Sequence, residues 1–401
     1  MLPHLLHDAG VSTTAFSPWH LKLNPYVSEH IAGSRDVVEA AAQLEQLLAL
    51  RRFNWVIIAD DDLLRALVER SNIAAPPSWL PFDPRNSDAR SLLLSKHEFA
   101  GCATHFGIPV PESHLAGTVE EAALHAENLG FPVVLKGAYG SAGDAVHVVN
   151  DASALHAASA KFFASCRHVL VQRYVKGPVA AAYVLYDRGE VVGASTHLLE
   201  CPFPNGFSAP TLRLPFVHPT VNAALYAVGA ATHFHGLAGI DFVQDEKTGE
   251  LFALEVNPRP TAGFSDGPAT RKFFAPLVAA FLKGQAPRMR VYDGPASAQF
   301  PAYLFYFLMR ADKRSTQSYR HALDSLAKMR ADNARLAAWQ VARFMRDQVR
   351  SFADRMSPVE FLKGLVVSIL GPASWLACKS LEWTLDQTDR CIESVASRAR
   401  R

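Results

Sequence analysis

The stretch from Gly239 to Pro260, GIDFVQDEKTGELFALEVNPRP, constrains this chain more than any other. Two runs of strand-forming residues flank a short polar turn that carries a glycine, and that pattern makes an antiparallel hairpin. Alternation along a strand puts Glu255, Asn257 and, if the extended geometry persists past Pro258, Arg259 on one face. A turn centred near Thr248 sets Asp241 approximately opposite Glu255. The neighbours Leu251 to Leu254 and Val256 are apolar. Polar groups beside such a run are costly to bury unless they bind something. One outcome is a site of hard oxygens from Asp241, Glu255 and Asn257, which suits Mg²⁺, with Mn²⁺ as its nearest substitute, while Arg259 holds a phosphate oxygen. The other is a surface hairpin edge with solvated polar groups.

A second segment points the same way. In FPVVLKGAYGSAGDAV, residues 131–146, a strand delivers Lys136 to a small-residue loop punctuated by Gly137, Gly140 and Gly143. Backbone N–H groups in such a loop cradle phosphates, with the lysine as a point charge. The spacing fits neither the Walker loop nor the dinucleotide fingerprint. A glycine loop between two strands also arises on structural grounds alone. VLVQRYVKGP, residues 169–178, reads either as a core strand or as a backbone edge offered to an adenine, with Tyr174 and Val175 at the contact. Arg213, in the apparent loop PFPNGFSAPTLRLP, is either a clamp for a carboxylate or phosphate or a surface arginine. Lys96, just before a helix, reads by itself as solvated. The triplet Asp60-Asp61-Asp62 suits the positive end of the helix that follows, or a ligand at the end of a strand. No HExxH, GxSxG or Ser–His–Asp spacing occurs among the 16 histidines and their neighbours.

Composition excludes several classes. The 401 residues suffice for two or three domains, and 49% apolar against 19% charged residues argues against global disorder. A formal charge of +2 excludes a strongly basic nucleic-acid binder by bulk charge, so no nucleic-acid partner is expected. The five cysteines form no CxxC pair, which points to a reducing, cytoplasmic setting rather than a disulfide framework. The N-terminus carries no basic leader signature. Gly364 to Cys378 is uncharged but shorter than the ~20 residues a membrane span needs.

Along the chain, residues 1–90 read as a small α/β unit: a strand at Val11–Phe16, a helix at Val37–Leu50, a strand at Trp55–Ile58 and a helix at Leu63–Val68. Residues 71–91 are a polar, proline-rich boundary. Helices follow at Lys96–His105 and Val119–Leu129, strands at 131–136, 145–149 and 168–174, and a hairpin over 181–200 turning at Arg188-Gly189. A helix at Asn222–Phe234 precedes the opening hairpin. Residues 291–401 read as basic helices, in which 361–378 either lies on an anionic membrane or covers a partner helix, or packs as a helical layer on the preceding domain.

In this order the motifs resemble the ATP-grasp superfamily, most closely its carboxylate–amine ligase and carbamoyl-phosphate-synthase-type branch. The match runs over roughly 90–285, through GIPVPES, FPVVLKG, the glycine loop, VQRYVKGP, FSAPTLR and GIDFVQDEKTGELFALEVNPRP. The resemblance implies an α/β and α+β architecture: a small α/β domain over 1–90, truncated or degenerate, an ATP-grasp domain over 91–288 with a lid at about 130–178, and a helical region over 289–401. It implies Lys96 and Lys136 on the ATP phosphates, Gly140, Ser141, Ala142 and Gly143 as the lid loop, and Gln172, Arg173, Tyr174 and Val175 as the adenine hinge. Asp241, Glu255 and Asn257 would hold Mg²⁺, and Arg259, Arg213 and Lys136 would act on the transferring phosphoryl. The implied activity is an ATP-dependent ligase that makes an acyl phosphate from a small carboxylate for attack by an amine. Kinase-like transfer and a non-catalytic nucleotide-binding protein are the alternatives, and a homodimer is compatible with the class. Many relatives carry an acid shortly after the hinge glycine, whereas this chain has Ala180-Ala181-Ala182.

Overall fold

The computed structural model describes residues 2–18, 24–71, 74–137, 146–164, 166–202, 210–264, 267–287 and 289–298. Residues 1–22 and 26–297 form one compact unit, to which everything below belongs; residues 23–25 and 298–401 form a second. Of the helical region expected over 289–401, residues 299–401, with the segment 361–378, lie outside the described residues, as does the loop Gly140 to Gly143; Arg290–Val291 within the described part is a short strand, not helix.

The chain opens with α1 (Leu2–Asp8), then β1 (Thr14–Ser17) and β2 (Glu29–Ala32), which pair in parallel. Next come α2 (Val37–Leu50), α3 (Asp61–Arg70), α4 (Ser87–Leu94) and α5 (Lys96–His105). Polar side chains start these helices by accepting orphan N–H groups. Asp36 caps α2, Asp60 caps α3 through Leu63 N at 2.8 Å, Asn86 caps α4 and Ser95 caps α5.

Trp55–Ile58, expected as a strand, has no ladder partner among the described residues. Its apolar run serves two cores instead: Trp55 and Ile57 pack into one cluster, Val56 and Ile58 into another. The boundary segment 71–91 hides the start of α4, which Asn86 and the apolar positions Ala89, Leu92 and Leu93 specify.

A small antiparallel sheet follows, ordered β3-β6-β4-β5, from β3 (Ser113–Ala116), β4 (Val133–Gly137), β5 (Val146–Val149) and β6 (Val169–Arg173). The helices α6 (Val119–Leu129) and α7 (Ala152–Phe163) lie within the same span. Val133, Leu135, Val169 and Val171 pack with Ala122, Ala126, Leu155 and Phe162 on one face. By the period of two, Val134, Lys136, Leu170 and Gln172 belong to the other.

The larger sheet is ordered β11-β10-β7-β8-β9, from β7 (Val179–Asp187), β8 (Glu190–Pro202), β9 (Pro210–Pro215), β10 (Gly236–Gln244) and β11 (Leu251–Asn257). Its helices are α8 (Pro219–Thr232) and α9 (Pro268–Leu282), and the short β12 (Arg290–Val291) pairs in parallel with β8. Ala180, Ala182, Val184 and Tyr186 face a core shared with Leu64, Leu67, Leu92, Phe99 and Leu225, so residues before and after position 90 share one core. Ala181, Tyr183 and Leu185 face a second core with Leu5, Phe264 and Phe274. Of the segment expected as a loop around Arg213, residues 203–209 lie outside the described residues and Pro210–Pro215 is strand β9. Its flanking prolines mask the signal, because proline sits at strand ends.

The turn Arg188-Gly189 is as expected, with φ of 49° and 91°. Positive φ at both centres matches the right-handed strand twist. A Cβ on Gly189 would run into the Gly229 carbonyl of α8. Gly189→Ala is therefore expected to lose about 1–3 kcal/mol of stability, read as a lower urea midpoint. Among the described residues, no helix is long and apolar enough to cross a membrane.

Candidate active site

The hairpin β10–β11 has the register that the sequence suggests: Asp241 stands opposite Glu255, and Gly239 opposite Asn257. Directly opposed residues share a face, so the two carboxylates and the amide converge at the end of the sheet. Asn257 is buried, and its Nδ2 donates to Asp241 Oδ2 at 3.1 Å. Arg259 donates through Nη2 to Asn257 Oδ1 at 3.3 Å and through Nε to Asp61 Oδ1 at 2.8 Å. This is not a solvated hairpin edge.

The basic side chains come from two other elements. The first residue of α5, Lys96, places its Nζ 3.3 Å from Glu255 Oε2. Lys136 projects from the face of the small sheet opposite its helices. Lys96, Phe99, Ala100, Lys136, Leu170, Gln172, Leu254 and Glu255 line one cleft. Three elements distant in sequence therefore surround one cleft with two ammonium groups and a carboxylate.

Electrostatics in this cleft are strongly coupled. Burial pulls the Lys136 ammonium down to about 8, Lys96 adds to the pull, and Glu255 and Asp241 oppose it. Burial pushes the Asp241 carboxyl up to about 7, and the Glu255 charge adds to that push. Burial also opposes the Glu255 charge, but Lys96 and Lys136 outweigh it and hold this carboxyl below the usual range. A divalent cation between Asp241 and Glu255 would relieve their repulsion. Among the described residues there is no group of three or more His, Cys, Asp or Glu able to hold a metal. The donor set here is two carboxylates and an amide oxygen. So few protein ligands suit Mg²⁺, which keeps waters and shares phosphate oxygens.

The remaining sequence candidates divide. Gln172 is buried on the cleft wall and donates to Ser113 Oγ at 2.8 Å. Arg173 turns away: its guanidinium lies over the Phe252 ring at 5.0 Å and 3.9 Å from Asp245, while its N–H donates to the Glu112 carbonyl. Tyr174 and Val175 follow the end of β6, with Val175 buried. Arg213 is no surface arginine. It is 3% exposed, on β9, four strands from β11, and its Nε donates to Tyr183 Oη at 2.9 Å. The structure does not bring it to Arg259.

Asp61 is the residue that sequence reasoning missed. The aspartate triplet divides its work: Asp60 caps α3, Asp61 holds Arg259, and Asp62 pairs with Arg65 at 2.8 Å. A second carboxylate beyond the cap was the signal available.

Comparison with known proteins agrees with this geometry. The family model "Carbamoyl-phosphate synthase L chain, ATP binding domain" matches residues 95–197. The carbamoyl phosphate synthase large chain of Thermomicrobium roseum is 32% identical over 198 residues, covering 47% of this chain and 18% of that one. This chain thus spans under a fifth of that relative. Among solved structures, the biotin carboxylase domain of Hydrogenobacter thermophilus 2-oxoglutarate carboxylase, in complex with MgADP, superposes with a TM-score of 0.55 at 15% identity, over 72% of this chain and 67% of that one. The L-amino acid ligase of Bacillus licheniformis gives 0.51 at 18% identity, over 71% and 74%. Two sheets meeting over a lysine-lined cleft, closed by the acidic hairpin, define an ATP-grasp fold. Residues 95–197 are thus similar to the ATP-binding domain of carbamoyl phosphate synthase large chains, and the fold is shared with these ATP-grasp structures.

Proposed function

We propose that this chain is an ATP- and Mg²⁺-dependent ligase that activates a small carboxylate as an acyl phosphate for attack by an amine. One observation carries the reading: Lys96 and Lys136 meet Glu255 in one cleft, with Asp241, Asn257 and Arg259 beside it. That set suits a triphosphate better than a neutral ligand. The residues before 90, the cleft-bearing middle and the residues after 288 serve as the small domain, the ATP-grasp domain and an appended region.

The division of labour follows from charge. Lys96 and Lys136 neutralise phosphate oxygens, and Gln172 with the backbone through Val175 takes the base. Asp241, Glu255 and Asn257 hold Mg²⁺, or Mn²⁺ in its place. The metal, when bound, supplies charge neutralisation and alignment of phosphate oxygens. A substrate carboxylate oxygen attacks the γ-phosphorus, the bond to the β–γ bridging oxygen breaks, and ADP leaves. The amine nitrogen then attacks the acyl carbon, phosphate departs with the C–O bond electrons, and the nitrogen loses a proton. Arg259 faces the charge that spreads over the transferring group. The L-amino acid ligase relative makes an amino acid a reasonable choice of nucleophile or acid.

Asp61 fixes Arg259 through its Nε, leaving the other guanidinium nitrogens to turn toward the site. Asp61→Asn is expected to lower kcat about tenfold while the Kd for Mg·ATP stays unchanged. Equilibrium nucleotide binding and turnover, measured side by side, check that split. The function itself is tested by ADP release from Mg·ATP against pooled carboxylates and amino acids. Release that requires a particular pool supports the ligase; a stable phosphorylated product with no need of an amine favours a kinase.

A further inference from the structure

The small sheet brings a second row of chemistry to the cleft, beyond Lys136. Ladder partners place Ser113, Gln172 and Val134 in one row across β3, β6 and β4, and Leu115, Leu170 and Lys136 in the next. Directly opposed residues share a face, so Gln172 stands on the same face as Lys136. Two residues of β6 separate the rows, about 7 Å. Lys136, with Lys96 and Glu255, marks the charged part of the cleft, and Gln172 is its one uncharged polar residue. The rest of the lining, Phe99, Ala100, Leu170 and Leu254, is apolar and suits the faces of a flat ring.

Gln172 is only 4% exposed, and its amide is held in one orientation. The Ser113 hydroxyl donates to the Pro111 carbonyl at 2.7 Å. A carbonyl cannot donate, so that bond uses the single hydroxyl proton and leaves Oγ with lone pairs alone. The amide atom 2.8 Å from Oγ is therefore the Nε2 donor. An amide turned over would set Oε1 against Oγ, two acceptors in contact. The chain of bonds from Gln172 through Ser113 to Pro111 thus fixes which end of the amide faces β3. Oε1 is the other end, and it accepts no hydrogen bond from any described residue. A buried acceptor without a partner is unfavourable, and a ligand donor in the cleft supplies what is missing.

We propose that Ser113 is a positioning residue that locks the Gln172 amide with its oxygen toward the cleft, and that this lock makes the cleft select a nucleotide whose base carries an exocyclic amine over one that carries a carbonyl there; this rests on the nucleotide site of the ligase reading. Adenine offers an N6 amine as donor, whereas a 6-oxo purine offers an acceptor at the same place. Against a fixed Oε1 the first pairs, and the second leaves two acceptors facing each other out of water. A site built around a polar contact rejects a ligand that lacks it far better than an apolar pocket rejects a change of size. Ser113 acts without touching the base. Without its hydroxyl the amide is free to turn over and offer Nε2 to a carbonyl.

The test is isothermal titration of the full chain with Mg·ATP and with Mg·ITP, whose base carries a carbonyl in place of the adenine amine. Wild type is compared with Ser113→Ala, Ser113→Thr and Gln172→Met. Wild type is expected to bind Mg·ATP about tenfold or more tighter than Mg·ITP. In Ser113→Ala that ratio falls to about threefold or less, mainly because Mg·ITP binds better, and Ser113→Thr, which keeps the hydroxyl, restores it. A merely structural role for Ser113 would weaken both nucleotides alike and leave the ratio standing. Gln172→Met leaves the bond from Ser113 to Pro111 in place and is expected to lose the ratio by weakening Mg·ATP, so it decides the matter if Ser113→Ala does not fold. Equal binding of the two nucleotides by wild type, a preference for Mg·ITP, or an unchanged ratio in a folded Ser113→Ala or Gln172→Met overturns the proposal and leaves the nucleotide site standing. Binding of neither nucleotide by wild type overturns both. Base selection that the variants lose, without acid-dependent ADP release, keeps the role of Ser113 and removes the ligase.

Discussion

Glu255→Gln lowers acid-dependent ADP release by about 10²–10³-fold at saturating Mg·ATP. Glu255 is the pivot of the cleft: it faces Asp241 across the ladder and pairs with Lys96 at 3.3 Å. Its negative charge has two duties, holding a divalent cation together with Asp241 and keeping both lysines correctly placed. Glutamine keeps the shape and removes the charge. The folded state tolerates the change, because Asp241 loses the like charge that pushes its carboxyl up toward 7. The expected signature is therefore a melting temperature near that of wild type with turnover lost. Unfolding of the variant, read by circular dichroism, would make the loss structural instead.

Lys136→Met weakens Mg·ATP binding about 10–100-fold and flattens its dependence on pH. The ammonium is held at about 8, well below its ordinary value near 10.4, chiefly by burial. In the nucleotide-free protein it is charged below that point and neutral above it. The wild-type Kd for Mg·ATP should thus rise as pH climbs through 8, by up to about tenfold per unit. Stability moves the opposite way. A lysine whose folded pKa is depressed carries its cost below the folded pKa, and that cost disappears as pH rises from about 8 toward 10.4. Wild type should therefore gain stability relative to Lys136→Met over that interval. Titrating a fluorescent ATP analogue from pH 7 to 9.5 measures the first effect, and urea unfolding over the same range extending to pH 10 measures the second.

The hairpin was the most legible part of the molecule. Its register follows from a turn of defined length, so the Asp241–Glu255 pairing is legible in the sequence itself. Lys136 was equally readable, because a lysine closing the apolar run Val133 to Leu135 must occupy the face opposite the core. Lys96 was not readable on its own residues: only tertiary packing carries the start of α5 to Glu255. The same holds for Asp61 and Arg259, joined across the chain by a fold that periodicity does not encode. Arg213 was misplaced because prolines on both sides of it suggested a loop, whereas they mark the ends of β9. The helix α9 escaped for a related reason, since Pro276 interrupts its apolar pattern without ending it. Sequence thus shows local geometry and the chemistry of single elements. The juxtapositions that make the site come from packing.

The central claim is that a substrate carboxylate takes the γ-phosphoryl group from ATP. The direct measurement is transfer of oxygen isotope: full-length protein, Mg·ATP, amine pool and ¹⁸O-carboxylate acids, with the released phosphate read by mass spectrometry. Attack by the carboxylate leaves one of its oxygens in phosphate, so the predicted product is phosphate carrying a single ¹⁸O. Phosphate released at the same rate without label would mean that water, not the acid, attacks the γ-phosphorus, and the ligase assignment would be wrong.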